Sequence, residues 1–168
     1  MRFPGHLYRD GSHWIAEVPV FDAITQGRTR HEAIEMIEDW FVTITDRPDF
    51  SVTVEPVDDS EFEVAGSDLG TMIGLLLRQQ RHKSGLTLAE VADRLGAKSR
   101  NAYARYEQGA SVPTVEKLDQ LLRAVSPGPD CVLALSRAKR PGSREAYRQG
   151  RDAAERINSE WESIDAEV

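Results

Sequence analysis

Short runs of alternating apolar and polar residues fill most of the first 66 positions of the chain. Two of these runs, RFPGHLYR and HWIAEVPV, flank Asp10 and Gly11, a pair that favours a tight hairpin because both residues tolerate a positive φ. A third run, AITQGRT, leads into a helical segment. The run FSVTVEPV then places Phe50, Val52 and Val54 on one face, and EFEV continues this last strand. The pattern predicts strands with one exposed face.

Between Thr29 and Pro48 the apolar spacing is that of a helix. Thr29 and Glu32 have the spacing of a capping box, in which each side chain satisfies the backbone N–H of the other residue. Proline cannot continue a helix, so the element is predicted to end near Asp46. The resulting order β-β-β-α-β indicates an α+β domain over residues 1–66, with one helix on an antiparallel sheet. The predicted buried face of the helix consists of Ala33, Ile34, Ile37, Trp40, Phe41 and Ile44.

From residue 67 to residue 125 the spacing is helical throughout. A second capping box, Thr87 with Glu90, begins a short helix that stops at Gly96, and the next helix ends at Gly109. The apolar stripes are Leu69, Met72, Ile73, Leu76 and Leu77 in the first helix; Leu88, Val91, Ala92 and Leu95 in the second; and Val115, Leu118, Leu121, Leu122 and Val125 in the last. Two short helices joined by a tight glycine turn, within an all-α bundle, are typical of a helix-turn-helix.

The stretch AKSRNAYARYEQG contains the second helix of this predicted motif. In such motifs the second helix lies in the major groove, where arginine can pair with guanine and asparagine with adenine. Arg100, Asn101 and Arg105 share one side of the helix, whereas Tyr103 and Tyr106 face the bundle core. The alternative is a plain helical bundle with a basic face. The candidate DNA-binding residues are Thr87, Lys98, Ser99, Arg100, Asn101, Ala102 and Arg105.

Charge is distributed unevenly along the chain. Residues 1–68 carry 5 Arg or Lys against 15 Asp or Glu, a net charge of −10, whereas residues 69–125 carry 9 against 5, a net of +4. Such opposite signs indicate different partners for the two segments, although both can also be solvated faces. No apolar run approaches the roughly 20 residues that span a bilayer. The single cysteine, Cys131, excludes an internal disulfide framework, and a reducing cytoplasm is the expected location.

Residues 126–168 are predicted to be a linker followed by a helix. SPGPD and RAKRPGS break the regular pattern, and a helix is expected from Ser143. Its narrow apolar stripe favours an oligomer contact in a homodimer or tetramer, or a strap across its own domain. The stripe consists of Tyr147, Ala154, Ile157, Trp161 and Ile164.

Catalysis is not expected. RNase H-type chemistry needs several carboxylates that converge on metal ions, usually from neighbouring strands. Asp10 lies in a predicted turn and Glu38 and Asp39 on a helix, so of these candidates only Glu17 lies plainly in a strand. The histidines, His6, His13, His31 and His82, have neither metal-ligand spacing nor a nucleophile partner. A glycine-rich phosphate loop is absent as well. We therefore expect neither an enzyme nor a bound metal or cofactor.

The helical segment resembles the Xre/Cro type of helix-turn-helix. The resemblance is carried by Gly85-Leu86-Thr87, Val91-Ala92, Leu95-Gly96, Glu107, Gly109, Pro113 and the leucines that follow. Two features depart from that type: Leu88 occupies a position where a phosphate-binding glutamine is common, and one extra residue precedes the recognition helix. The resemblance implies an ion pair between Arg81 and Glu107.

The whole order of segments resembles a HicB-family antitoxin. YRDGSHWIAEVPVFDAITQGRTRHEAIEMIEDW followed by KSRNAYARYEQG carries this resemblance, over about residues 6–125. It implies a partial RNase H-like head without nuclease activity that blocks HicA, a small RNA-cleaving toxin, and a helix-turn-helix that binds the protein's own operator. The alternative is a ligand-sensing repressor without a toxin partner. The candidate toxin-binding residues are Asp10, Trp14, Glu17, Glu38 and Asp39.

Overall fold

The computed structural model describes residues 1–97 and 99–126, and its first half is a five-stranded antiparallel sheet. Across the sheet the strand order is β3-β2-β1-β5-β4. The predicted hairpin between β1 and β2 is confirmed, because Asp10 pairs with His13 across the turn. The strands are β1 (Phe3–Asp10), β2 (His13–Val18), β3 (Ala23–Gly27), β4 (Val52–Pro56) and β5 (Glu61–Gly66), with a single 3₁₀ turn at Pro19–Phe21 between β2 and β3.

Two strands follow the helix of the head, where the sequence predicted one. The prediction was wrong because FSVTVEPV and EFEV are separated by a tight turn and pair with each other as a hairpin. The carboxylate Oδ1 of Asp58 accepts hydrogen bonds from the backbone N–H groups of Ser60 and Glu61, at 2.7 and 2.9 Å, and these bonds close the turn. The order of the head is therefore β-β-β-α-β-β.

Helix α1 (Arg30–Thr45) covers one face of this sheet. Thr29 accepts the N–H of Glu32 as predicted, but the Glu32 carboxylate accepts from the N–H of Arg28, at 2.7 Å, so only half of the predicted capping box forms. The helix ends at Asp46, which has a left-handed φ of +50°. The core between sheet and helix includes Phe3, Leu7, Val18, Phe21, Ile37, Phe41, Phe62 and Val64.

The opposite face of the sheet is called the open face here, because its side chains are exposed or half-buried. Successive residues of a strand point to opposite faces, so Glu17 lies on the open face between the buried Ala16 and Val18. Two large apolar side chains are exposed there, Tyr8 at 45% and Ile24 at 58%. The open face of β1, β2, β3 and β5 carries Pro4, His6, Tyr8, Ile15, Glu17, Ile24, Glu61 and Glu63.

Up to residue 126, the end of the described ranges, four helices follow the sheet: α2 (Leu69–Lys83), α3 (Leu88–Arg94), α4 (Arg100–Glu107) and α5 (Val115–Val125). Helix α2 contributes to two cores. Met72, Leu75 and Leu76 pack into the core of the sheet, whereas Ile73 and Leu77 pack against α3, α4 and α5. The α+β class with a sheet followed by a helical bundle is therefore confirmed.

Two of the predicted apolar stripes need correction at their first residue. Leu69 is 40% exposed and Val115 is 73% exposed, because each begins its helix and lies beyond the neighbouring elements that bury the rest of the stripe. Leu75, which the predicted stripe omits, is 2% exposed. It is buried because α2 is covered on two sides, whereas an amphipathic pattern assumes one buried side.

Helices α2 and α4 approach each other closely at Gly74. A Cβ atom on Gly74 would lie 2.6 Å from the carbonyl oxygen of Glu107 and 2.8 Å from that of Tyr106. Gly70, one turn earlier, is near the backbone of Gly109 in the same way. The contact thus depends on the absence of side chains at two positions of α2, and it fixes where the C-terminal end of α4 lies.

Candidate nucleic-acid interface

The turn between α3 and α4 is built by caps at both helices. Thr87 and Glu90 form a complete capping box, with N···O distances of 2.8 and 3.2 Å. The backbone N–H of Thr87, followed by its hydroxyl, lowers the pKa of the Glu90 carboxyl. Gly96 ends α3 with a left-handed φ of +62°, and Ser99 caps α4 by accepting the N–H of Asn101 at 3.1 Å. These contacts hold the first turn of α4 at the surface.

The two sides of α4 divide as the sequence predicted. Tyr103 is 1% exposed and Tyr106 is half-buried, and both pack in the helical core. The structure places most of the candidate DNA-binding residues at the solvent side, and Lys98 lies outside the described residues. The exposed candidates are Thr87, Ser99, Arg100, Asn101, Ala102 and Arg105.

A shallow cleft joins the first turns of α3 and α4. It has a volume of about 550 Å³ and is lined by Thr87 and Leu88 of the first helix and by Arg100 of the second, with His82 from α2 at its side. Arginine and a helix-capping hydroxyl on one rim are groups that contact phosphate oxygens. The structure thus brings Thr87 and Arg100, 13 positions apart in sequence, to one surface.

An ion pair between Arg81 and Glu107 connects α2 to the end of α4. The guanidinium donates twice to the carboxylate, Nε to Oε1 at 2.6 Å and Nη2 to Oε2 at 2.9 Å, and Nη1 donates to the carbonyl oxygen of Leu86 at 2.9 Å. Both side chains are at most 10% exposed. The hydrogen bond to Glu107 raises the pKa of Arg81 further. This pair therefore fixes both the recognition helix and the loop before α3.

The hydroxyl of Tyr103 is buried close to this ion pair. Among the described residues no atom is in hydrogen-bonding geometry with it. Burial, followed by the neighbouring Glu107 carboxylate, raises the pKa of the phenol. Tyr103 is therefore a neutral packing residue, and its ring supports the exposed side of α4 from behind.

The candidate toxin-binding residues do not share one surface. Glu17 lies on the open face and Asp10 at the end of β1, whereas Trp14 lies on the helix-covered face with the Arg30 guanidinium 5.0 Å from its ring centroid. Glu38 and Asp39 lie on α1. Trp14 and Glu17 are separated by three positions of one strand, so the alternation of strand residues already implied opposite faces.

Sequence reasoning missed an ionic contact at the open face. Arg2 pairs with Glu55 of β4 and, at 3.3 Å, with Glu63 of β5. These carboxylates come together only because β4 and β5 form a hairpin, and the sequence was interpreted as a single strand there. Part of the acidic charge of the open face is therefore neutralised at its β4 end, while Glu17 stays free of this network.

The two capped helices have the arrangement of a helix-turn-helix, with Arg100 and Asn101 exposed and the buried ion pair behind them. Residues 73–130 match the family model of a helix-turn-helix domain. The chain therefore contains a DNA-binding domain of this kind, which assigns it sequence-specific DNA binding and the regulation of transcription. No curated protein matches the chain. None of the helices in the described ranges is long and apolar enough to cross a membrane.

Proposed function

We propose that the protein is a HicB-type antitoxin that binds its own operator through the helix-turn-helix and blocks a HicA-type RNA-cleaving toxin through residues 1–66. The observation that carries the DNA-binding half is the exposed first turn of α4, with Arg100 and Asn101 at the surface and Tyr103 buried. The partial RNase H-like fold of the head, a cytoplasmic location and assembly into a dimer or tetramer belong to the same proposal. The predicted oligomer stripe around Ile157 and Trp161 lies outside the described residues.

In this proposal α4 enters the major groove with its first turn. Arg100 donates two hydrogen bonds to one guanine, and Asn101 pairs with an adenine. Thr87 and Ser99, which cap the two helices, approach the phosphates on either side of the groove. The Arg81–Glu107 pair carries no contact with DNA in this scheme, but it holds α4 at the angle that the contacts need.

Arg100→Ala and Asn101→Ala should each weaken binding to the protein's own promoter DNA by about 1–3 kcal/mol. Lys98→Ala should weaken binding to specific and unrelated DNA alike and reduce the salt slope by about one, because a phosphate contact releases a counterion wherever it forms. Fluorescence anisotropy with promoter and scrambled duplexes, over a series of salt concentrations, measures both effects. Arg9→Ala removes an exposed arginine from strand β1, outside the helix-turn-helix, and is the control for loss of a positive charge. Equal losses on both duplexes for all variants would contradict base recognition by Arg100 and Asn101.

The head supports a protein partner through its charge and its open face. Residues 1–68 have a net charge of −10, and the open face combines exposed apolar side chains, Tyr8 and Ile24, with the carboxylate of Glu17. Exposed apolar side chains with acidic neighbours suit a small basic protein whose RNA-binding surface must be covered. Of the candidate residues, Glu17 is the one in the middle of a strand on this face, between Ile24 of β3 and His6 of β1. The carboxylates of the head point in several directions, which favours a binding role over nuclease chemistry.

Charge reversal at two positions separates the open face from α1. Glu17→Lys, in the full-length chain, should abolish co-purification with the product of the neighbouring reading frame and restore that product's RNA cleavage. Glu38→Lys makes the same change on α1 and should leave both unchanged. The full chain is required because truncation after Gly66 removes Met72, Leu75 and Leu76 from the core of the head. If Glu38→Lys abolishes toxin binding and Glu17→Lys does not, the interface lies on α1. If neither change affects toxin binding, the acidic residues of the head do not form the interface.

A further inference from the structure

A second cleft lies between the end of α1 and the helical bundle. Its volume is about 350 Å³. Thr45 and Arg47 line it from the end of α1, Arg78 from the middle of α2, and Gln108 from the end of α4. These elements come from both halves of the described chain, so the cleft exists only in the folded protein.

The arginines of this cleft are held in place, and their charge is only partly compensated. Arg78 donates through Nη2 to the carbonyl oxygen of Ile44 at 2.8 Å, and no carboxylate among the described residues pairs with it. Arg47 donates to the hydroxyl of Thr71 and lies 3.8 Å from Asp68. That carboxylate already accepts both the N–H and the hydroxyl of Thr71, at 2.7 and 2.6 Å. Arg47 therefore has one carboxylate nearby, which Thr71 already engages, and Arg78 has none among the described residues.

The carboxylate of Glu107 lines the same cleft, and it does not neutralise these arginines. Both of its oxygens accept hydrogen bonds from Arg81. Apart from Thr71 and the polar residues of the rim, the lining consists of the apolar side chains Leu75, Leu88 and Ala104. Hydroxyl and amide groups at Thr45 and Gln108 complete the polar rim. A small-anion site typically combines apolar lining residues with a few positively charged hydrogen-bond donors, and this cleft has that composition.

We propose that this cleft binds a phosphate group, with Arg47 and Arg78 as the charged donors. Guanidinium groups bind phosphate oxygens in pairs of parallel hydrogen bonds, and the unpaired nitrogens of Arg78 supply them. The phosphate has two possible sources, a small phosphorylated molecule or the backbone of DNA bound at α4. The proposal rests on the helix-turn-helix and is independent of the toxin.

Occupation of the cleft acts on DNA binding because the cleft adjoins the recognition helix. Ala104 and Gln108 belong to α4 and its C-cap, and Leu88 lines both this cleft and the one formed by Thr87 and Arg100. A phosphate on Arg47 and Arg78 would therefore join the end of α1 to α2 and lie beside the C-terminal end of α4. If the ligand binds one arrangement of these helices more tightly, it changes the affinity of the protein for DNA. By linkage, bound DNA then changes the affinity of the protein for the ligand by the same factor.

Pyrophosphate binding to the full-length protein, without DNA, tests the first source. Titration calorimetry at constant ionic strength should show saturable binding of pyrophosphate but not of chloride. Arg78→Gln and Arg47→Gln should each weaken it by about tenfold or more, since each removes a charged donor. Arg9→Gln removes an exposed arginine elsewhere and should change nothing. Arg78 also caps α1, so Arg47→Gln, at an exposed side chain, decides the matter if Arg78→Gln proves unstable in thermal melts.

Promoter binding over a salt series tests the second source. If DNA supplies the phosphate, pyrophosphate should not bind to the wild-type protein. Each arginine variant should then lower the slope of log affinity for DNA against log salt concentration by about one. Either result supports the site and identifies its source. The proposal is overturned if pyrophosphate does not bind and both variants keep the wild-type salt slope. Because the pyrophosphate arm needs neither operator nor toxin, its result is independent of the proposed antitoxin function.

Discussion

Arg81→Met should lower the free energy of unfolding by about 3–5 kcal/mol, since it leaves the carboxylate of Glu107 buried without a partner. The carbonyl oxygen of Leu86 also loses its donor. Urea denaturation followed by circular dichroism measures the loss. Promoter binding should decline in the same variant, because α4 is no longer fixed to α2.

The double variant Arg81→Met with Glu107→Leu separates the loss of the pair from the cost of a lone buried charge. Replacing both members with apolar residues removes the uncompensated carboxylate, so most of the stability should return. Arg9→Met, at an exposed arginine, measures how much the free energy of unfolding changes when a surface cation is lost. If Arg81→Met costs no more than Arg9→Met, the pair contributes nothing to stability and its place in the fold is incidental.

Gly74→Ala should destabilise the protein by about 3 kcal/mol, although the same change in an open helix stabilises it by about 1 kcal/mol. The new methyl group would meet the carbonyl oxygens of Glu107 and Tyr106 at 2.6 and 2.8 Å. These are backbone atoms, which cannot turn aside as a flexible side chain does, so α2 and α4 must separate. Thermal and urea unfolding measure the effect, and promoter affinity reports the displacement of α4.

Gly70→Ala is the matched variant on the same helix. Its Cβ would lie 2.9 Å from the carbonyl oxygen of Gly109, a smaller overlap, and the gain in helix propensity is the same. We therefore expect the order wild type, Gly70→Ala, Gly74→Ala in decreasing stability. A stabilised Gly74→Ala would mean that the helices lie farther apart than described.

The helix-turn-helix was predictable because its signals are local. A capping box at Thr87, a left-handed stop at Gly96 and an alternation of exposed and buried side chains in α4 all lie within about 20 residues. The head was harder. The hairpin of β4 and β5 depends on the carboxylate of Asp58. Asp58, Asp59 and Ser60 are residues that turns favour, but the alternation on both sides of them was interpreted as one strand.

Features assembled from distant elements could not be predicted from the sequence. Leu75 is buried because α2 lies between the sheet and three other helices, whereas periodicity describes one side of one helix. The cleft of Arg47 and Arg78 joins side chains from α1, α2, α3 and α4. Neither arginine has an unusual sequence neighbourhood. Their common surroundings follow from the packing of the two halves against each other.

The double role of α2 has a consequence for anyone who builds chimeras of this protein. A foreign head joined at Gly66 would meet Met72, Leu75 and Leu76, side chains shaped to the core of the native sheet. A chimera therefore has to keep together the sheet, α1 and the residues of α2 that pack against them. Those residues alternate along α2 with residues that pack in the helical bundle, so no single junction in the chain separates the two cores. Recombination at a single crossover point is therefore expected to disrupt one of the two cores, and the head and the helix-turn-helix of this chain should be inherited together.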